Sequence, residues 1–176
     1  MNDINYYSNY KSVNDWVTTI EDKFPYLSLE RMVKDICDIL TVTDKKEIKK
    51  LEKASLKIHG KRIGVLTFKD ACLKLNIKPI ASNILALLPK HTSAEYKLSI
   101  IIKAINPIDY VPDWSNSNEY KWYPWFNMHR FSFGYAHGDW DTASSIVGSH
   151  LCLFKKEDAE YMGKWFTKLY KDLMVR

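Results

Sequence analysis

The sequence predicts an α+β fold in which N-terminal helices are followed by a small antiparallel sheet packed by a C-terminal helix. Up to residue 106, apolar residues recur at three- and four-residue intervals, the spacing of one helix face. At Pro107 the composition turns to the Pro, Asp, Asn and Ser of a surface loop, and beyond it the period becomes alternating. The stretch from Lys155 onward returns to helical spacing. A chain of 176 residues buries a substantial core without a disulfide or metal staple. One domain over 1–176 is expected, with a mainly helical part at 1–106 and the sheet plus C-terminal helix at 107–176.

Each element has a local reason. In "SVNDWVTTIEDKF", Ser12 and Asp15 have capping-box spacing, Val13, Trp16, Val17, Ile20 and Phe24 form one stripe, and Pro25 stops the helix. A second helix after Ser28 carries Leu29, Met32, Val33, Ile36 and Leu40. A third after Thr43 carries Ile48, Leu51 and Ile58, with Gly60 expected to close it. Thr67 with Asp70 opens a short helix bearing Phe68, Ala71, Cys72 and Leu75. Thr92 with Glu95 is expected to open another, bearing Leu98, Ile101, Ile102 and Ile105 and ended by Asn106–Pro107. Residues 107–120 read as a long surface loop.

In "RFSFGY" Phe131, Phe133 and Tyr135 alternate with Arg130, Ser132 and Gly134, and "SHLCLF" alternates in the same way, so both are expected as strands. Ala159, Met162, Phe166, Leu169 and Leu173 give the C-terminal stretch one apolar stripe to lay on that sheet.

Composition narrows the function classes. A hydrophobic fraction of 46% with 14% aromatic residues argues against disorder, and the apolar run from Leu98 to Ile105 is broken by Lys103 and too short for a bilayer. The start lacks the basic-then-apolar order of a signal peptide, and Cys37, Cys72 and Cys152 are odd in number and widely spaced. A cytoplasmic protein with reduced thiols is expected, without a membrane partner. The net charge of +5 favours acidic partners such as nucleic acid, or serves solubility alone.

The segments "DWSNSNEYKWYPWF", "FSFGY", "GSHLCLF" and "AEYMGKWFTKLYKDL", with a weaker match from "LTFKDACLKLNI" through "AEYKLSIIIKAINP", resemble a family of small uncharacterised proteins from bacteriophages and mobile elements of gut Bacteroidetes. The resemblance implies a phage or prophage origin and carries over no catalytic residue. His150 stands where relatives have Arg, and Lys156 where they have a helix-capping Ser.

Nine aromatic rings crowd residues 118–141: Tyr120, Tyr123, Tyr135, Trp122, Trp125, Trp140, Phe126, Phe131 and Phe133. Strand alternation assigns one set to a core and leaves another accessible, where clustered Tyr and Trp make a protein hot spot or a base-stacking surface. Trp122, Trp125, Trp140 and Tyr123 are the candidate partner-binding residues. A second surface is the lysine row Lys46, Lys50, Lys53 and Lys57, at i, i+4, i+7 and i+11 and opposite Ile48, Leu51 and Ile58, with Lys61 and Arg62 expected just beyond the helix end. Such a row tracks phosphates or is a solvated face.

In "HGDWD" a strand would set His137, Asp139 and Asp141 on one side, with His129 and His150 as further imidazoles, a pattern open to metal or acid–base chemistry; the neighbouring Gly138 and "TASS" favour a turn-rich loop. Cys152 near His150 is not read as a nucleophilic dyad, and Cys37 and Cys72 read as core. No phosphate-binding glycine loop, CxxC pair or HExxH motif is present, so no catalytic residue, metal or cofactor is assigned. The leading expectation is a non-enzymatic phage or mobile-element protein that binds a host or phage macromolecule, with interference in host defence as one use. The alternatives are a nucleic-acid-binding accessory protein using the lysine row and a metal-dependent enzyme at "HGDWD".

Overall fold

The structure, a computed structural model, describes residues 45–175 apart from 130–131 and 144–146. The helices expected over residues 12–40, with Cys37, lie outside the described residues, as does Phe131. The chain divides into two units between Lys61 and Arg62. The fold is α+β: helices first, then a two-stranded antiparallel sheet, then C-terminal helices.

Helix α1 (Lys45–Ile63) buries Leu51, Ser55, Leu56 and Ile58 and exposes Lys46, Lys50, Lys53 and Lys57. It does not close at Gly60. A glycine inside a helix costs about 1 kcal/mol against alanine but does not break the hydrogen-bond ladder. The helix ends instead at Gly64, whose φ of +70° is the left-handed conformation that lacks a Cβ penalty. Lys61 and Arg62 therefore lie inside α1, and Lys61 prolongs the lysine row by one more turn.

In the second unit, α2 (Phe68–Lys74) opens with the expected capping box: Asp70 N–H donates to Thr67 Oγ1 at 3.2 Å, and Thr67 N–H to Asp70 Oδ2 at 2.8 Å. A short α3 (Ser82–Leu85) follows. Helix α4 (Lys90–Ile105) begins two residues before Thr92, with Pro89 as its N-cap. Proline suits a helix start, where its missing N–H costs nothing. The helix ends as expected at Asn106, ahead of Pro107. Buried Ala94, Leu98, Ile101 and Ile102 make α4 the centre of this unit, packed on α2, on the C-terminal helix and on a 3-10 turn at Ser149–Leu151.

Strands β1 (Lys121–His129) and β2 (Ser132–Asp141) form an antiparallel hairpin, pairing Trp122 with Trp140, Tyr123 with Asp139, Pro124 with Gly138 and Trp125 with His137. A bulge after Trp125 leaves Ala136 as the extra residue. Two expectations are corrected here. "HGDWD" is strand, not loop, because it is paired along its whole length with Lys121–Trp125. "SHLCLF" is not a strand of the sheet: it forms the 3-10 turn and a single bridge, in which Leu153 and Trp122 exchange N–H···O bonds of 2.7 and 2.9 Å. The Asn106 side chain takes up the backbone there, donating to Cys152 O at 2.9 Å and accepting from Phe154 N–H at 3.0 Å, which leaves less for a ladder.

The C-terminal stretch is two helices, α5 (Lys156–Trp165) and α6 (Thr167–Met174), rather than one. The break falls at Phe166, where Thr167 Oγ1 bonds back to Gly163 O at 2.5 Å and Lys164 O at 3.0 Å. Lys156 is the first helical residue; the N-cap is Lys155 and makes no side-chain cap bond. Helix α5 lies on the sheet and α6 on α4. Tyr161 O–H donates to Val65 O at 2.7 Å and Trp165 Nε1–H to Leu66 O at 2.9 Å, tying α5 to the segment before α2. No described helix is long and apolar enough to cross a membrane.

Candidate interaction surface

One face of the hairpin is set by a close approach. Gly163 of α5 sits so near the sheet that a Cβ there would collide with the Tyr135 ring and with Pro124. Across Gly138, ordinary contact is left for Glu160 and Ala159. Phe126 on this face is buried against Tyr170, with ring centroids 4.8 Å apart, and meets Tyr135 edge-on at 6.1 Å.

Strand alternation carries the Trp122–Trp140 pair on the same face as Pro124 and Gly138. Tyr120 joins them. Its ring stands edge-on to Trp140 at 4.6 Å and tilted to Trp122 at 5.9 Å, and the two tryptophans meet at 6.5 Å. Tyr120 is 49% exposed and Trp140 46%, while Trp122, half-buried, backs them.

Trp125 projects from the opposite face, 41% exposed, with its ring stacked at 6.4 Å on that of His137. The three tryptophans singled out in the sequence are thus brought together only in part, as Trp122 with Trp140. Tyr123 is a correction: it is buried and cannot offer its ring to a partner. Its hydroxyl donates to Asp141 Oδ2 at 3.1 Å. Burial first, and then that bond and the nearby Asp139 charge, push it well above the usual phenol range, so it remains a donor.

His137, Asp139 and Asp141 do share one side of β2, but His137 Nε2 is 3.9 Å from Asp139 Oδ2, and Asp141 accepts from Tyr123. Among the described residues no three His, Cys, Asp or Glu side chains converge as a ligand set. His150 and Cys152 part company too. His150 is exposed with Nε2 3.2 Å from Glu95 Oε1, whereas Cys152 is buried and its thiol donates to Gly148 O at 3.2 Å.

The loop leading to Tyr120 is built around a residue that the sequence did not mark. Lys121 is fully buried. Its ammonium donates to the carbonyls of Asp113 and Asn116, the latter at 3.1 Å, and lies 5.5 Å over the Trp114 ring. Trp114 Nε1–H in turn donates to Ser149 Oγ at 2.7 Å, and Tyr110 O–H to Glu119 Oε1 at 3.0 Å. Asx turns at Asp113 and Asn116 finish the loop, and the Ser115 hydroxyl and N–H hold the Asp113 carboxyl below the ordinary carboxylate range. Tyr120 was findable by extending the alternation one step back from Trp122. Nothing in the spacing announces Lys121.

The lysine row is a surface of α1: Lys46, Lys50, Lys53 and Lys57 are all exposed, as are Lys61 and Arg62 at the helix end. Comparison with protein-family models, with curated proteins and with solved structures finds no match to this chain. Segments far apart in the sequence touch one another in the second unit. Gly163 of "AEYMGKWF" meets Pro124 of "YPWF", Asn106 of "AINP" holds Cys152 and Phe154 of "SHLCLF", and Trp114 of "DWSNS" bonds Ser149 of "GSH". These contacts belong to the packing of the second unit.

Proposed function

We propose that this chain is a non-enzymatic binding protein that engages a host or phage protein through the Tyr120–Trp122–Trp140 cluster. One observation carries the reading: two rings in edge contact keep about half their surface open while a third supports them from behind. Large, rigid aromatic anchors of this kind dominate protein interfaces, because they bury much area at low cost in side-chain freedom. The phage or mobile-element origin, and a use against host defence, belong to the same proposal and rest on the motif resemblance alone. Capture from a Bacteroidetes lysate, with and without nuclease, tests it. A protein partner retained after nuclease treatment and lost with the Tyr120→Ala, Trp140→Ala double variant supports the reading; a partner retained equally by that variant contradicts it.

A second reading is favoured by the exposure of the whole lysine row on one helix face: contact with nucleic-acid phosphates. Counterion release makes such binding fall steeply with salt. Gel shifts of the parent and of a Lys46, Lys50, Lys53, Lys57→Gln variant at two salt concentrations separate the readings. Binding that is tight, salt-sensitive and removed by the four changes would put nucleic acid first.

A further inference from the structure

A cavity of about 710 Å³ opens in the second unit between the end of α2, one side of α4, the 107–111 loop and the 3-10 turn. Its size falls within the range of small-molecule sites, roughly 300–1,000 Å³. The wall is largely apolar, formed by Leu75, Ile77, Ile100, Ile102, Ile108 and Val111. Ile108 and Val111 are 94% and 78% exposed, so the loop holds two branched apolar side chains in water beside an apolar hollow.

The neutral polar side chains of the wall are already engaged in holding it. Asn106 spans Cys152 and Phe154, Tyr110 donates to Glu119, and Ser149 accepts from Trp114. What remains is charge. Lys74 spends one donor on Ile63 O at 2.8 Å, and neither Lys74 nor Lys103 has a carboxylate partner among the described residues. His150 is shared with Glu95. Asp109 is the one acid among the described wall residues, so the two lysines exceed the described acids of the wall by one positive charge.

Backbone strain gathers at the same place. The described non-glycine residues with positive φ are Asn76 (52°), between wall residues Leu75 and Ile77, and Asp109 (60°), in the wall itself. From the cavity, its excess lysine charge and its exposed apolar rim, we infer that this is a binding site for a small apolar molecule ending in a single carboxylate. The apolar body fills the hollow along Ile77, Ile102 and Ile108. The carboxylate meets the Lys103 ammonium, with the remaining Lys74 donors as the second contact. This site is independent of the aromatic cluster and of its partner.

The test titrates decanoate and its neutral counterpart decanol into the full chain below their aggregation concentrations, read by calorimetry and melting temperature. Decanoate binds one to one, raises the melting temperature and binds more tightly than decanol. Lys103→Gln weakens decanoate roughly ten- to a hundredfold, in line with the loss of one charge-assisted hydrogen bond, and leaves decanol unchanged. Ile108→Glu, at an almost fully exposed position, melts with the parent and loses decanoate. The proposal is overturned if decanoate shows no saturable binding, if it only lowers the melting temperature as a denaturant does, if decanol binds equally well with Lys103→Gln silent, or if Ile108→Glu binds like the parent.

Discussion

Two halves of one sheet face carry aromatic rings at similar density and end in opposite states. Around Pro124, Phe126 and Tyr135 the face is pressed against α5 so closely that only glycine fits at position 163. Around Tyr120, Trp122 and Trp140, on the same face, two of the three rings stay about half open to water. Ring count does not separate the two regions; what lies across from them does. A helix with a glycine at the crossing turns one cluster into core, and the other is left as a surface whose rings meet one another edge-on or tilted.

The largest effect expected from breaking this contrast lies on the packed side. Phe126→Ala removes a buried ring from between Tyr135 and Tyr170 and leaves a cavity, so a loss of roughly 3–5 kcal/mol is expected in chemical denaturation. A loss below about 1 kcal/mol would mean that the packed half is not a core. Next comes Lys121→Met, which keeps the length of the side chain but leaves the Asp113 and Asn116 carbonyls without their donor. About 2 kcal/mol is expected, with faster amide exchange confined to residues 113–119. Uniform acceleration across the unit would show that Lys121 supports the whole unit rather than its loop.

How much of this was legible depended on whether the deciding interaction was local. The Thr67–Asp70 capping box, the helix end before Pro107 and the lysine row are neighbour-to-neighbour facts, and the structure places them as read, apart from the helix end beyond Gly60. "HGDWD" was harder, because its glycine and aspartates signal a turn, while its actual state is set by a partner strand more than ten residues earlier. "SHLCLF" alternates like a strand, yet Asn106, 46 residues away, takes its backbone bonds. Tyr123 and Trp122 have the same composition signal, and only register and cover decide that one is buried and the other half-open. Gly163, a glycine amid an apolar helical stripe, is the one long-range contact with a readable local sign.

That glycine gives a smaller and more pointed test. In an uncrowded helix, Gly→Ala stabilises by about 1 kcal/mol through helix propensity. At Gly163 the added methyl collides with the Tyr135 ring and Pro124, which puts the overpacking cost in the upper part of the usual range, about 2–3 kcal/mol, so the net expectation is a loss of about 1–2 kcal/mol. Gly134→Ala in β2 is the control: nothing stands near its Cβ position, so only the gain of replacing a strand glycine remains, and it should stabilise by about 0.5–1 kcal/mol. Equal effects at the two glycines would remove the close crossing as the reason one half of the face is core.

The smallest stability effect is expected at the open end, and it decides whether that end is a surface at all. Trp140→Ala removes a half-exposed ring and its edge contacts with Tyr120 and Trp122, worth about 1 kcal/mol together, so the variant should melt within a few degrees of the parent. Trp125→Ala, which takes a similarly exposed ring from the other face, should cost about as much. Thermal melts of the two are therefore nearly superimposable, while binding of the captured partner separates them. Trp140→Ala weakens it at least tenfold, as removal of an interface anchor does, and Trp125→Ala leaves it intact. The reverse result would move the interaction to the Trp125–His137 side of the hairpin. A Trp140→Ala variant that melts as far below the parent as Phe126→Ala would make both halves of the face core and dissolve the contrast between them.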